Sequence, residues 1–238
     1  MPTPARPARC GGRVRWAVLA TAVLLELARA ALARSGGTPL DDYLDGLKTL
    51  RASFLQTLTD AHGRPIDRAT GTLIVARPGK FRWEIHPQSL EGEAAGQRAI
   101  QPRTSAGQLM VCDGSNLWFF DRDLEQVTVK PVDAALSATP AMLLSGAADL
   151  YRSFSVTPAG ERSGLEWVLV EPRAAEADFR SALLGFAGAQ LRRMILEDKL
   201  GQTTTINFEK VERNGPVAAA EVSFTPPAGV DVIGTPRK

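Results

Sequence analysis

The sequence predicts a mainly β fold in which a long antiparallel meander carries two short helices. From about Ala52 almost to the C-terminus, apolar and polar residues alternate with a period of two in short runs separated by turn residues. Two other stretches place apolar residues at helical spacing, and such helices need a surface to pack on. We expect them either to close the open end of a curved sheet or to pack on its concave face, where an apolar cavity can form.

The first 33 residues have the features of an export signal. Residues 1–15 are polar and Arg-rich, residues 16–25 are apolar, and residues 31–33 supply the small side chains that signal peptidase recognises. A membrane anchor is the alternative, but Glu26 and Arg29 interrupt the apolar stretch of about 20 residues that a span requires. We therefore expect cleavage after Ala33.

The predicted mature chain, residues 34–238, is expected to form one domain and is close to electrical neutrality. The whole chain has a formal charge of +2, but its first 33 residues contain five Arg and one Glu, so 23 basic and 25 acidic residues remain. This leaves no clustered basic surface of the kind that binds nucleic acid. Cys10 leaves with the signal, and Cys112 lies in an apolar run where we expect a core residue. Stability must then come from a hydrophobic core, not from a disulfide.

A first helix is predicted to begin at Thr38. Thr38 is an N-cap residue, Pro39 occupies the first helical position, and Asp41 is placed to bond back to the cap. Apolar residues follow at three- and four-residue spacing and predict an amphipathic helix with one apolar stripe. They are Leu40, Tyr43, Leu44, Leu47 and Leu50.

Ten short runs predict the strands. They are residues 70–76, 81–85, 109–112, 117–120, 127–129, 154–157, 166–170, 191–197, 203–208 and 221–224. Three turn sequences are suited to hairpins, at residues 113–116, 121–123 and 214–215. In the second run Phe81, Trp83 and Ile85 alternate with Arg82, Glu84 and His86, so one face of the sheet is expected to face water.

A second helix is predicted after Thr139. Pro140 stands at the first helical position, residues 141–144 are apolar, and Gly146 can end the helix in the left-handed conformation. Because this helix is short and apolar, we expect it to cover part of the sheet together with the first helix.

The residues that catalysis or metal binding would need are sparse. Neither His62 nor His86 has Cys, His or carboxylate neighbours at metal-ligand spacing. No segment resembles the strained nucleophile turn of a hydrolase, and Gly79-Lys80 lacks the rest of a phosphate-binding loop. We therefore expect a protein that is not an enzyme and that holds no metal and no cofactor.

Six longer motifs follow one another in order along nearly all of the predicted mature chain. They are RPGKFRWE at residues 77–84, Asp113-Gly114 with Leu117-Trp118, DRDLEQV at 121–127, PAMLLSG at 140–146, DKLGQT at 198–203 and FTPPAGVDVI at 224–233. Together they resemble the LolA family of periplasmic outer-membrane lipoprotein carriers. A likeness in order and spacing over so much of the chain is more specific than any single motif.

The resemblance implies an unclosed β-barrel, or half-barrel, with a helical lid over an apolar cavity. It also implies a periplasmic carrier and chaperone, a monomer, that takes the acyl chains of lipoproteins released from the inner membrane by an ABC transporter. The cargo then passes to an outer-membrane acceptor. At about 0.8 kcal/mol per buried methylene, two or three acyl chains cost tens of kcal/mol to expose to water, so such cargo needs a carrier.

The apolar faces of the predicted strands and of the second helix supply candidate residues for the acyl cavity. The sequence does not separate a cavity lining from an ordinary core, nor does it show which face of the sheet is concave. The candidates are Phe81, Trp83, Ile85, Val111, Trp118, Val129, Leu143, Leu169, Leu196 and Phe208.

The resemblance also implies roles for two residues of the first motif. Arg77 is expected to bond backbone carbonyls of the lid helices as a reversible latch, because a guanidinium presents five donors in a fixed fork. An exposed arginine at a strand end is the alternative. Phe81 is expected at the rim of the cavity, where it keeps cargo moving forward, and simple core packing is its alternative.

The chain departs from the family pattern in one segment. Residues 87–107 form a polar stretch with several Gly and Ala where the family turns tightly, and a loop of that length is mobile or functional. We expect a long hairpin loop near the edge of the barrel. Two alternatives use the same fold, namely a carrier of another apolar cargo, such as a glycolipid or pigment precursor, and a lipid-sensing half-barrel module. The membrane-anchored acceptor is disfavoured, because it needs a lipidated cysteine at its mature N-terminus.

Overall fold

A computed structural model of the protein describes residues 37–88, 106–132, 140–146, 150–175, 177 and 179–237. The predictions for the signal peptide, for Thr139 and for most of the 87–107 loop concern residues outside these ranges. The described chain runs through α1 Pro39–Leu44, β1 Thr49–Thr59, β2 Pro65–Ala76, β3 Lys80–Gln88, β4 Gln108–Asp113, β5 Asn116–Asp121, β6 Gln126–Pro131, α2 Pro140–Ser145, α3 Leu150–Ser153, β7 Phe154–Arg162, β8 Leu165–Pro172, β9 Phe179–Ala187, β10 Gln190–Asp198, β11 Thr203–Arg213, a 3₁₀ helix Ala219–Val222 and β12 Asp231–Ile233.

All twelve strands belong to one sheet with two open edges. Their order is β12-β6-β5-β4-β3-β2-β1-β11-β10-β9-β8-β7. The strands pair antiparallel except for β12, which runs parallel to β6. Because the sheet curves but its edge strands β12 and β7 do not pair, the predicted mainly β, unclosed antiparallel half-barrel is confirmed.

Helix α1 shows how strongly the sheet curves. The carbonyl oxygen of Leu44 in α1 accepts a hydrogen bond from Arg77, just after β2, while Tyr43 packs on Phe186 of β9 with ring centroids 5.5 Å apart. Strands β2 and β9 are four steps apart, which is about 19 Å in a flat sheet. A helix of six residues is only about 9 Å long. One short helix thus contacts strands that are four places apart in the curved sheet.

The face on which α1 and α2 pack is called the inner face. Its buried cluster centres on Phe54 of β1, whose ring centroid lies 5.2 Å from that of Trp83 and 6.4 Å from that of Phe208. Phe54 stands opposite Gly71 of β2, where a Cβ atom would lie 2.3 Å from the Phe54 Cζ atom. Glycine at this position lets the ring lie directly against the neighbouring strand.

The opposite, outer face is not uniformly exposed to water. On β3 the prediction holds, since Arg82, Glu84 and His86 point outward and pair with one another or with Arg122. On β4 to β6 a second apolar cluster forms, and Phe224 of the C-terminal segment covers it. That cluster contains Leu109, Val111, Trp118, Val127 and Val129.

The C-terminal segment also corrects the strand predicted for residues 221–224. Residues Ala219–Val222 form a 3₁₀ helix instead, in which Glu221 accepts from the backbone N–H of Ala218 and forms an ion pair with Arg51. Phe224 then packs on Trp118 with ring centroids 5.7 Å apart. The apolar residues of this segment cover the outer cluster and add no strand to the sheet.

The start of α1 agrees with the sequence prediction, but its end does not. Thr38 and Asp41 form the predicted capping box. The helix stops at Leu44, whereas the apolar stripe ran to Leu50, because Gly46 has a φ of +65° and the chain turns into β1. Strands β1, β9 and β12 were absent from the predicted runs.

Asp113 fixes the predicted hairpin between β4 and β5. Its Oδ1 atom accepts from the backbone N–H groups of Ser115 and Asn116 at 2.8 Å, and its Oδ2 atom accepts from the indole N–H of Trp118 at 2.7 Å. Partial burial alone would raise the pKa of Asp113, but these hydrogen bonds hold the pKa below its ordinary value. Such a carboxylate stabilises the fold above its unfolded pKa of about 4, and this stabilisation is lost as the pH falls through the folded pKa.

We expect the free energy of unfolding to decrease as the pH is lowered below about 4, and Asp113→Asn to weaken that decrease. Urea unfolding at a series of pH values measures both. Asp67→Asn, in the exposed part of β2, is the matched control, because it removes a carboxylate without changing the hairpin after Asp113. Equal pH dependence in Asp113→Asn and wild type would contradict this role of Asp113.

Candidate functional site

The turn between β2 and β3, residues 77–79, contacts the C-terminal ends of both α1 and α2, which we call the lid helices. The Arg77 Nη1 atom donates to the carbonyl oxygen of Leu44 at 2.8 Å, and Leu44 is the last residue of α1. The backbone N–H of Gly79 donates to the carbonyl oxygen of Ser145, the last residue of α2, also at 2.8 Å. Carbonyl groups at helix ends lack intrahelical donors, so one turn satisfies such groups on two helices.

The guanidinium of Arg77 also lies against the residue that ends α2. Gly146 has a φ of +67°, as predicted for a left-handed helix stop, and a Cβ atom there would lie 2.8 Å from both Nε and Nη2 of Arg77. The backbone N–H of Arg77 donates to the carbonyl oxygen of Lys48 at 2.8 Å, in the connection from α1 to β1. Arg77 therefore contacts the end of each lid helix.

A second arginine, Arg213, holds α1 from the end of β11. Its Nη2 atom donates to the carbonyl oxygen of Tyr43 at 2.7 Å, and its guanidinium carbon lies 4.7 Å from the centroid of the Tyr43 ring. Sequence reasoning missed this residue, because the charged run ending at Arg213 reads as a solvated strand face. Only the pairing of β11 with β1 brings it to α1.

Asn214 next to it corrects the hairpin predicted at residues 214–215. The Asn214 Oδ1 atom accepts from the backbone N–H of Lys48 at 2.8 Å, and Nδ2 donates to the carbonyl oxygen of Gly46 at 3.1 Å. The positive φ of Asn214 ends β11, and its side chain ties down the connection between α1 and β1. No strand returns along β11 from this turn, because the chain leaves the sheet for the outer face.

The N-terminal end of α1 is joined to α3 by one strong contact. The Tyr151 hydroxyl donates to Oδ1 of Asp41 at 2.5 Å. Partial burial would raise the pKa of Asp41, but this hydrogen bond and those from Thr38 hold it below its ordinary value, while the same contact raises the pKa of Tyr151 to about 12. The lid helix α1 is thus held at both ends by a few polar contacts.

Beneath the lid helices the inner face is apolar and buried. Leu40 of α1 and Leu144 of α2 are completely buried, and residues of both helices belong to the same cluster as the inner face of the sheet. Half-buried apolar side chains pack against this cluster, among them Ile85, Met110 and Leu196. The inner face is therefore one apolar cluster with partly exposed side chains at its border.

The structure brings six of the ten candidate lining residues together. Those in or against the inner-face cluster are Phe81, Trp83, Ile85, Leu143, Leu196 and Phe208. Phe81 is completely buried in this cluster. The neighbouring Cys112 is buried as predicted; its thiol donates to the carbonyl oxygen of Gly79 at 2.9 Å, and burial raises its pKa.

The other four candidates lie on the outer face, which corrects the expectation that they share the cavity. Val111 is paired with Arg82 and Trp118, so these residues are on the same side of the sheet, and Val129 joins them in the outer cluster. Leu169 alternates with Val168 and Val170, whose side chains are in the inner cluster. The short turn after Asp113 pairs Cys112 with Leu117 and Val111 with Trp118, but only the pairing of β3 with β4 places Cys112, and not Val111, opposite Phe81.

The described residues contain no group of three or more His, Cys, Asp or Glu side chains arranged to hold a metal ion. No helix among them has the length and apolar character needed to cross a bilayer. The candidate site consists of the apolar inner face and the polar contacts that hold the lid helices.

Comparison with known proteins finds one family over most of the chain. The family model described as outer membrane lipoprotein carrier protein LolA matches residues 45–90 and 100–225. A protein of Dechloromonas aromatica named outer-membrane lipoprotein carrier protein is 42% identical over 204 residues, covering 85% of this chain and 90% of that protein. A protein of Methylobacillus flagellatus with the same name is 34% identical over 221 residues, covering 93% of this chain and 100% of that protein. With a matching family model over most of its length and relatives of this identity, the chain belongs to the LolA family of outer-membrane lipoprotein carrier proteins.

Proposed function

We propose that this protein is a periplasmic, monomeric carrier that shelters the acyl chains of lipoproteins between the inner face of its sheet and the lid helices. Its relatives are named outer-membrane lipoprotein carrier proteins. The observation that carries the proposal is the contrast between the two kinds of contact at the lid. An extensive apolar surface lies beneath α1 and α2, whereas a few hydrogen bonds from the turn at residues 77–79 and from Arg213 hold their ends.

This contrast suits a cargo that must enter and leave. The lid helices bury the inner face, so acyl chains must displace them, and the apolar contacts of the helices are then replaced by apolar contacts with the cargo. The hydrogen bonds to the helix ends are lost in the same step. Each has a net worth of about 1 to 3 kcal/mol, so opening is reversible at ordinary temperature.

Arg77 is the proposed latch of this mechanism. It contacts the ends of both lid helices, and its bond to Leu44 is one that an open lid would lose. Arg213 acts with it on α1. The lining that we propose keeps the six candidates of the inner-face cluster and leaves out Val111, Trp118, Val129 and Leu169.

The chain is proposed to work as a carrier between two membranes, not as an enzyme. It receives its cargo from an inner-membrane ABC transporter and delivers it to an outer-membrane acceptor. Each acyl chain stays out of water during transit, because exposing its methylenes costs about 0.8 kcal/mol each. The N-terminal 33 residues are the proposed export signal.

The test is to express the full chain in a Gram-negative host, purify it from the periplasm and identify the co-purifying lipid by mass spectrometry. We expect acylated lipoproteins, and a protein that begins at residue 34. If the main bound species is a free glycolipid or a pigment precursor, the protein is a carrier of that cargo and not of lipoproteins. A chain recovered free of any lipid, together with no binding of a synthetic diacylated peptide, would contradict the carrier function.

A further inference from the structure

The indole N–H groups of the described tryptophans differ in their hydrogen bonding. Trp118 donates to Oδ2 of Asp113 at 2.7 Å, and Trp167 donates to the carbonyl oxygen of Arg162 at 3.1 Å. Both lie on the outer face. Trp83 lies on the inner face and is 7% exposed, and its Nε1 atom has no hydrogen-bond partner among the residues that the structure describes.

The two described tyrosines show the same difference. The hydroxyl of Tyr151, at the protein surface, donates to Asp41. Tyr43 on α1 is 1% exposed, faces the inner cluster, and its hydroxyl has no partner within the described part of the chain. Burial raises the pKa of Tyr43 to about 12 although Arg213 acts in the opposite direction, so the hydroxyl keeps its proton.

Buried hydrogen-bond donors without a partner are uncommon. Buried polar groups in native proteins are nearly always hydrogen-bonded, and leaving one without a partner costs about twice what an ordinary hydrogen bond contributes. Here two of them belong to one apolar cluster, in the half-barrel interior that the cargo is proposed to enter. An indole N–H only donates, so the group that would satisfy Trp83 must be an acceptor.

We propose that Trp83 and Tyr43 donate hydrogen bonds to the carbonyl oxygens through which acyl chains are linked, so that the site recognises acyl esters and amides rather than hydrocarbon alone. This inference rests on the proposed carrier function. In an acylated lipid the linking carbonyl is the acceptor closest to the hydrocarbon, and it enters an apolar site together with the chain. Carbonyl recognition orients the cargo, since apolar contacts alone fix neither the depth nor the direction of a chain.

Two synthetic probes separate carbonyl recognition from chain burial. One is a short peptide carrying a dipalmitoylglyceryl group in ester linkage, and the other is the same peptide with two hexadecyl groups in ether linkage. Their chains have the same length, but only the first contains carbonyl oxygens. We expect the wild-type protein to bind the ester probe about three- to tenfold more tightly than the ether probe, as one or two net hydrogen bonds predict.

Trp83→Phe is expected to weaken binding of the ester probe more than binding of the ether probe, and so to reduce the preference for the ester. Tyr43→Phe, which removes only the hydroxyl, should reduce the preference without loss of volume. Trp167→Phe is the matched control, because its indole lies on the outer face and bonds a backbone carbonyl; it should keep the preference. Equilibrium binding of each variant to both probes is the measurement.

The outcomes are distinct. Wild-type protein that binds both probes equally well overturns the carbonyl donors while the carrier function stands. If Trp83→Phe weakens binding of both probes equally, and if both variants keep the preference for the ester probe, the two side chains contribute only to packing. That result also overturns the proposal. Failure of the wild type to bind either probe overturns the carrier function and this inference with it.

Discussion

Arg77→Leu is expected to bind lipoprotein at least about tenfold more tightly than the wild type and to transfer little of it to outer-membrane vesicles. The Arg77 bond to Leu44 exists in the closed form and competes with cargo for the lid. A hydrogen bond from a charged donor is worth about 1.5 to 3 kcal/mol, so its loss shifts the population toward the open, binding-competent form. About 1.4 kcal/mol corresponds to a tenfold change in affinity, so the variant binds its cargo at least about tenfold more tightly. Tighter binding to the carrier reduces the free energy that is released when the cargo passes to an acceptor.

The measurement is the fraction of a labelled lipoprotein transferred from purified carrier to vesicles over time, with thermal unfolding as a check on the fold. Arg180→Leu is the matched control, because the Arg180 side chain is 70% exposed and forms an ion pair with Glu197 on the surface of the sheet, away from the lid. It should transfer lipoprotein normally. Normal transfer by a folded Arg77→Leu variant would contradict the latch.

A second variant reaches the same contact without removing the arginine. A Cβ atom at Gly146 would lie 2.8 Å from the Arg77 Nε and Nη2 atoms, so Gly146→Ala is expected to displace the guanidinium and to slow transfer. Gly188→Ala supplies the comparison, because Gly188 also has a positive φ, +54°, but a Cβ atom added there would meet nothing within 4 Å. Only the Gly146 variant should affect release.

Gly71→Ala is expected to lower the free energy of unfolding by about 3 kcal/mol, the upper range for overpacking a core. The added Cβ atom would lie 2.3 Å from Cζ of Phe54 and 2.2 Å from the backbone carbonyl oxygen of Glu84. Phe54 is 1% exposed and packs on Trp83 and Phe208, so its ring has little room to move. The carbonyl belongs to β3, whose shift would disturb its pairing with β2 and β4.

Urea unfolding followed by circular dichroism measures this effect. Gly63→Ala is the control, because Gly63 lies in the turn between β1 and β2 with a φ of +78° and nothing within 4 Å of an added Cβ atom. It should cost only about 1 kcal/mol, the ordinary penalty of a left-handed non-glycine residue. A Gly71→Ala variant as stable as Gly63→Ala would show that the inner face tolerates the extra methyl group.

Local features of this protein are readable in its sequence because short-range physics controls them. The capping box of Thr38 and Asp41 and the left-handed stop at Gly146 depend on residues within one helical turn. The hairpin after Asp113 depends on a four-residue turn. The end of α1 was predicted wrongly, because the apolar stripe through Leu50 continues past the helix into β1.

The candidate site was predicted only in part, because its residues come together through long-range strand pairing. Period-two alternation separates the two faces of each strand, but it does not say which face of a curved sheet is covered by helices. Val111 and Trp118 are as apolar as Phe81 and Trp83, and only the strand register and the C-terminal segment with Phe224 place them outside. The motif around Arg77 indicated its role by resemblance, while nothing local indicated Arg213.

The sequence by itself therefore determined the mainly β architecture, the ends of the helices that local signals control, the hairpin turn after Asp113 and the family. Only the tertiary structure decided which apolar residues lie under the lid and that Arg213 and Asn214 hold α1 and its connection to β1, across 170 and 166 residues of chain. Turns and caps are stabilised by neighbours in the chain, whereas the inner face and its lid contacts exist only once β1 has paired with both β2 and β11.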